Sequence, residues 1–600
     1  MEGIVVAASA TIRGRGKRVL RRPWPAMAAV LVVSAFHSIS AAAALSQHAN
    51  LLIQPAIGTH HMTYNGGGHA TARLLPHGGP GGTRAVEILV RRQPPDPWNI
   101  QYMVGVGPAL RAGDQINLSF QFRSAARGKT VRLAAVLQYM RSPWTGIFSV
   151  SAATGFTWKT VHETITILKP IAPSNIAIAF NLGGQRQKLL LANIELTFQD
   201  HRRGNLNFHG PWLKPALARI AKYRMASLTV QVVNGQGHAL ADAKVHLEML
   251  RHAFQFGTAV SSAMINSRSA NGRKYRHTLL KYFNHVEVEN GLKWGPWHDQ
   301  RRRARTLRAV QWLAAHHLKI RGHNLIWPSW HWMPAFAVKL KTHPRQLRRA
   351  VEHHIFSEVR ALRGKVDCWD VINEPLDNLS LQHLFGRSIL TDCYQAAHRA
   401  DPHAVLYVNE YEIAGAGGLH INKQNRYARL IHYLLAHGAE LGGIGIESHY
   451  GSLLTPPRRL IRVLSRFARF GKPLTITELT IDVHNRQLQA RYMRAFLIAA
   501  FSVPEVVGIN QWGFWAGHDW ISNTALWNGE WRLRPVGQAY IHLVYHTWWT
   551  NRTGQTNAHG AYHTRGFLGD YRLSVTAAGK TIHLRTRLEQ GGRTVRVIVP

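Results

Sequence analysis

Between residues 251 and 549, short runs of β-branched and aromatic residues alternate eight times with longer stretches of helical periodicity. The short runs are Ala253 to Val260, His285 to Glu289, Ile320 to Trp327, Val366 to Asn373, Val405 to Tyr411, Gly443 to Tyr450, Pro473 to Ile481 and Val506 to Phe514. The runs Cys368 to Pro375 and Pro473 to Asp482 read as buried strands, because β-branched and aromatic residues fill them. Arg301 to His317, Pro344 to Leu362 and Gln487 to Phe501 carry the helical spacing between them. Eight such units in about 300 residues predict an α/β fold, the closed (β/α)8 barrel, whose functional groups gather at the C-terminal ends of its strands.

Polar residues do collect at those ends. Cys368 to Pro375 and Pro473 to Asp482 carry Glu374 and Glu478, each near the C-terminal end of an otherwise apolar run. Taking a carboxylate out of water is costly, so one set in a buried strand is paired or functional. Two carboxylates on separate parallel strands, opening on one pocket, suffice to cleave a glycosidic bond: one protonates the leaving oxygen and the other attacks the sugar or activates water. The other strand ends contribute Glu289, Asn290 and Lys293, then His323 and Trp327, Asn373, Tyr411, Glu447 and His449, and Trp512 with Trp520 beyond it. Indole faces pack on sugar rings while Asn, Lys and His reach hydroxyls, so this rim suits a carbohydrate. A buried ion pair with arginine would explain either glutamate singly. It does not explain both, each at a strand end on the same rim.

The chain outside the barrel divides by pattern. Residues 1–44 combine the basic cluster Arg13 to Arg22, the apolar run Ala26 to Phe36 and the small residues Ser40 to Ala44, the composition of an export signal. The apolar run is too short for a permanent membrane span, so a secreted or periplasmic protein is expected. Residues 45–204 hold short alternating runs separated by Gly, Pro, Asn and Asp, which predict a β-sandwich of jelly-roll type. Trp98, Tyr102, Tyr139, Trp144 and Trp158 are its candidate sugar-stacking residues, at least half of them expected in the core or rim. Residues 205–250 read as a linking helix and strands, and 550–600 as further strands that pair with them in one small β appendage.

Composition adds one extreme number, a net charge of +42 from 73 Lys and Arg against 31 Asp and Glu. The basic residues are spread along the chain without a helix-turn-helix, RNP or zinc-finger pattern, so nucleic acid is not expected as a partner. Adaptation to an acidic medium fits better, with attraction to acidic polysaccharide as a consequence. Cys368 and Cys393 read as two buried thiols rather than a bridge. No His-x-x-x-His with a carboxylate stands at a strand end, so neither metal nor cofactor is expected, and the protein is read as a monomer.

The motifs Glu289-Asn-x-x-Lys293-Trp294, Arg321-Gly-His323, Trp369-Asp-Val-Ile-Asn373-Glu374-Pro375 and Ile476-Thr-Glu478-Leu occur in the order and on the strands of one family. With them, residues 251–549 resemble the catalytic barrel of glycoside hydrolase family 10, the endo-1,4-β-xylanases, and residues 45–204 resemble in pattern the jelly-roll carbohydrate-binding modules that accompany such enzymes. The resemblance implies retaining hydrolysis of xylan, with Glu374 as acid/base, Glu478 as nucleophile, and Asn373 on the 2-hydroxyl of the sugar being cleaved. Asn290, Lys293, His323, Trp327, Trp512 and Trp520 would shape the glycone side. Another β-1,4-glycan such as mixed-linkage glucan, or a barrel that binds sugar without cleaving it, are the alternatives.

Three residues depart from the family pattern: Pro328 where His is usual, Glu447 where Gln is usual, and Thr480 where an Asp usually braces the His that contacts the nucleophile. Positions 447 and 449 share one face of a strand, as do 478 and 480 of the next. Glu447 is therefore expected either to supply the missing carboxylate from the other side of His449 or to face sugar hydroxyls.

Overall fold

The computed structural model describes residues 50–64, 70–94, 96–111, 114–141, 146–167, 170–201, 206–451 and 453–600. The expected export signal and Trp144 lie outside the described residues.

The barrel strands are β1 (Gln255–Val260), β2 (His285–Val288), β3 (Lys319–Gly322), β4 (Cys368–Asn373), β5 (Val405–Glu410), β6 (Gly443–Tyr450), β7 (Leu474–Ile481) and β8 (Val506–Gln511). They form a closed barrel in chain order, every neighbour parallel, with β8 returning to β1. All residues of β4 and β7 are buried, so Asp370 and Asn373 of β4 and Thr475, Thr477, Glu478 and Thr480 of β7 are polar side chains held out of water. β3 stops short of its predicted end at Trp327, and the segment after it keeps only an isolated bridge from Ile326 to Ile372. The last residue of β3 is Gly322, where a Cβ would lie 2.2 Å from the ring of Trp369, a buried packing residue, so no larger residue fits.

Helices return between the strands, among them Gln300–Ala315, Pro344–Leu362, Ile421–Ala436 and Arg486–Phe501. Local chemistry starts them. Asp299 and Asn485 accept from backbone N–H groups as N-caps, and Pro344 opens its helix at the first position.

Residues 50–201 form two five-stranded sheets. Phe120 of one meets Phe180 of the other edge to face, with ring centroids 4.9 Å apart. Here the structure corrects one candidate sugar-stacking residue: Tyr102 is buried in this core, its hydroxyl donating to the Ala56 carbonyl and accepting from Gly58 N–H. Its place on an inward-facing position of a strand decides this. Trp158 lies beneath Arg123, Tyr139 is half-buried, and Trp98 is exposed.

The flanking strands pair across the barrel in sequence, as expected, but in two sheets rather than one. Met225–Asn234 pairs with Ala561–Phe567 and Arg593–Val599; Lys244–His252 pairs with Asn551–Gln555 and Gly569–Ala577, which pairs with Lys580–Leu588. Leu228, Val230 and Val232 of the first sheet share a core with Val245, Leu247, Leu573 and Val575 of the second. A single sheet would have left one of these apolar rows in water.

Cys368 and Cys393 are both free and buried. Among the described residues, no helix is long and apolar enough to cross a membrane.

Candidate active site

Glu374 follows β4 directly, in the left-handed region at φ 50°. Trp327 Nε1 donates to its Oε2 at 3.1 Å and Asn378 Nδ2 at 3.2 Å. Burial, then the negative charges of Glu410 and Glu478, push its carboxyl up to about 8 against the pull of Lys423 and the Trp327 hydrogen bond.

Glu478 lies on β7 and meets a different environment. His449 Nε2 stands 3.2 Å from its Oε2, Asn409 Nδ2 donates to its Oε1 at 3.2 Å, and His323 Nδ1 is 3.9 Å away. Burial alone would raise this carboxyl. The His449 hydrogen bond and the positive charges of His323, His449 and Lys293 outweigh burial and hold it below the usual carboxylate range. Two glutamates, both 5% exposed, are thus pushed in opposite directions.

Asn409 of β5 links the predicted residues. Its Nδ2 lies 2.9 Å from Asn373 Oδ1, 2.8 Å from Glu447 Oε1 and 3.2 Å from Glu478 Oε1, while Thr477 Oγ1 donates to its Oδ1 at 2.7 Å and fixes the amide orientation. Glu447 and His449 of β6 stand in register with Glu478 and Thr480 of β7. Glu447 is buried, its Oε2 3.5 Å from His449 Nε2; Thr480 Oγ1 takes the other ring nitrogen of His449 at 2.9 Å.

Around these groups, Lys293 Nζ donates to Asn290 Oδ1 at 2.8 Å and lies 5.3 Å from the Trp327 ring centroid. Burial lowers the Lys293 ammonium, opposed chiefly by Glu478 and Glu289. Glu289 is half-buried just beyond β2. His323 meets Trp512 edge to face at 5.3 Å, and its Nδ1 is 3.1 Å from Asp370, which also pairs with buried Arg321. Trp520 is half exposed, its ring 5.0 Å from that of His449.

Tyr411 spends its hydroxyl on a neighbouring carboxylate. Its hydroxyl donates to Asp377 at 2.7 Å, and Asp377 in turn pairs with Lys423 and Arg426. Lys423, almost wholly buried, also meets Glu410 at 3.0 Å.

Sequence reasoning missed Asn378, Lys423 and Trp332, and placed Asn409 at the end of its strand without giving it a role. Asn378 had a signal, standing four residues after Glu374 where one helical turn brings a side chain back. Trp332 stacks on Trp327 at 4.1 Å and 11° and is 39% exposed. Asn409 had only its place at a strand end, and Lys423 had none, because their partners are distant in sequence.

Two groups bring three possible metal donors within 4.8 Å of one another: Glu447, His449 and Glu478, and below them Glu287, His323 and Asp370. The chain's own hydrogen-bond donors and cations already serve both, Asn409 in the first and Arg321 with Asn510 in the second.

Residues 247–542 match the model of glycosyl hydrolase family 10. An anti-sigma-I factor, RsgI6, of Acetivibrio thermocellus is 28% identical over 393 residues, covering 64% of this chain and 49% of its own length. Endo-1,4-beta-xylanase 1 of Arabidopsis thaliana is 26% identical over 368 residues, covering 61% of this chain and 38% of its own. The chain thus spans half or less of the length of these two relatives. Among solved structures, xylanase 10B from Thermotoga petrophila in complex with xylobiose is 22% identical, with a TM-score of 0.43 over 49% of this chain and 95% of that one.

Proposed function

We propose that this barrel, whose residues 247–542 match the model of glycosyl hydrolase family 10, cleaves internal β-1,4-xylosidic bonds of xylan by double displacement. The observation that carries the reading is the opposite treatment of two buried carboxyls, one just after β4 and one on β7: Glu374 pushed up to about 8, Glu478 held low. An acid that stays protonated beside a base that stays ionised is what the two-step reaction requires.

In the first step a lone pair of the Glu478 carboxylate forms a bond to the anomeric carbon. The glycosidic C–O bond breaks, its electron pair goes to the leaving oxygen, and that oxygen takes the proton of Glu374. In the second step, water gives a proton to the Glu374 carboxylate and attacks the same carbon, and the bond to Glu478 breaks to restore its carboxylate. Asn373, oriented by Asn409, is placed to hold the neighbouring 2-hydroxyl. Trp327, Trp512 and Trp520 supply ring-stacking surfaces, and Lys293, Asn290, Glu289 and His323 hydroxyl contacts.

The same reading places the protein outside the cytoplasm, on the strength of residues 1–44. It gives the N-terminal sandwich a second polysaccharide contact at a cavity of about 380 Å³ lined by Pro97, Arg132, Ala134, Ser151, Asn181 and Gly184. Exposed Trp98 is the neighbour of Pro97 in the chain.

The test is product analysis of the full chain on glucuronoxylan and on β-glucan, beside Glu374→Gln. Short xylo-oligosaccharides that disappear in the variant are expected. Release from β-glucan alone would replace the substrate and keep the mechanism. No release from either would favour a sugar-binding barrel.

A further inference from the structure

Glu447 and Glu478 face each other across the β6–β7 register, and the same two nitrogens bridge them. At one end Asn409 Nδ2 lies 2.8 Å from Glu447 Oε1 and 3.2 Å from Glu478 Oε1. At the other, His449 Nε2 lies 3.2 Å from Glu478 Oε2 and 3.5 Å from Glu447 Oε2. Neither bridge is free to turn away, since Thr477 holds the Asn409 oxygen and Thr480 the second His449 nitrogen. Both carboxyls are therefore held close together and out of water, where two negative charges repel strongly. Carboxyl pairs of this kind keep one proton between them and titrate in two steps that belong to the pair.

The surroundings decide which member keeps the proton. His323, His449 and Lys293 direct positive charge at Glu478. Glu447 faces Glu478, Glu374 and Glu410 with Lys423 as its counter-charge, and Lys423 is already shared by Glu410 and Asp377.

We infer that Glu447 is the protonated member of a Glu447/Glu478 pair, a neutral carboxyl that keeps Asn409 and His449 on the nucleophile without adding a second negative charge. It is a positioning residue, and the inference rests on the assignment of Glu478 as nucleophile.

Inactivation by 2,4-dinitrophenyl 2-deoxy-2-fluoro-β-xylobioside tests both, because dinitrophenolate leaves without a proton and the rate reports the nucleophile. The full chain, Glu447→Gln and Glu447→Leu are followed from pH 3.5 to 9.5, with the labelled peptide identified by mass spectrometry and folding checked by circular dichroism. A label on Glu478 is expected, with two steps in the wild-type rate profile. Glu447→Gln, a neutral isostere, should lose no more than about tenfold on the plateau and lack the upper step, while Glu447→Leu loses about a hundredfold. Superimposable wild-type and Glu447→Gln profiles, or a hundredfold loss in folded Glu447→Gln at every pH, would overturn the inference and leave the nucleophile standing. A label on another residue would overturn both.

Discussion

The indole N–H of Trp327 donates to Glu374 Oε2 at 3.1 Å, so a residue from the segment after β3 holds the carboxyl that ends β4. The bond favours the ionised form and so works against the burial that keeps Glu374 protonated. Trp327→Phe keeps the ring and removes the donor. The alkaline limb of kcat/KM should then move to higher pH, and kcat should fall about 10- to 100-fold as the carboxyl loses its orientation. An alkaline limb that moved down would contradict the geometry.

Glu374 also predicts how stability responds to pH. Its folded-state value of about 8 lies above the ordinary 4.5. Below about 4.5 the carboxyl is protonated whether the chain is folded or not, and folding carries no cost from this group. As pH rises towards 8 the unfolded chain ionises and the folded one does not, so stability is lost through that window. Glu374→Gln cannot ionise. Its stability relative to wild type should therefore grow between pH 4.5 and 8 by about 1–3 kcal/mol and then level off, measured by urea unfolding. A gap independent of pH would mean that the carboxyl ionises normally in the folded protein.

Asn409 serves Asn373, Glu447 and Glu478 with one amide. Asn409→Ala should lower kcat by about 10²–10³-fold with a smaller change in KM, since the groups released act in the transition state rather than in binding. Equal losses in kcat and in affinity for xylobiose would instead point to a binding role.

A fourth expectation concerns a carboxyl away from the site. Glu358 is buried on the helix Pro344–Leu362, neither oxygen has a hydrogen-bond partner, and the His354 ring 3.4 Å away, lowered by burial to about 3 and so uncharged, spends that same nitrogen on the Leu325 carbonyl. Burial raises its carboxyl well above the usual range. Glu358→Met should stabilise the protein by about 1–2 kcal/mol at neutral pH without changing kcat/KM. A destabilised variant would show that the carboxyl has a partner the packing requires.

The barrel and its two glutamates were legible in the sequence because each leaves a local mark. Strands buried on both faces are rich in β-branched and aromatic residues, and a carboxylate near the end of such a run is an anomaly that neighbouring residues alone reveal. The division of the flanking strands into two sheets was not legible. Leu228 and Leu573 have the same alternating pattern whether their strands lie side by side or face to face, and only packing chooses. Tyr102 was equally open, since an aromatic residue on a half-buried strand looks the same whether it points into the core or towards a sugar. The sequence by itself thus determined which strands exist and which of their ends bear carboxyls. Tertiary structure decided what those carboxyls face. Asn409 meets Glu478, 69 residues on, and Glu447 meets His449 and Glu478 together, only because parallel strands in one register bring their side chains to the same depth of a closed barrel.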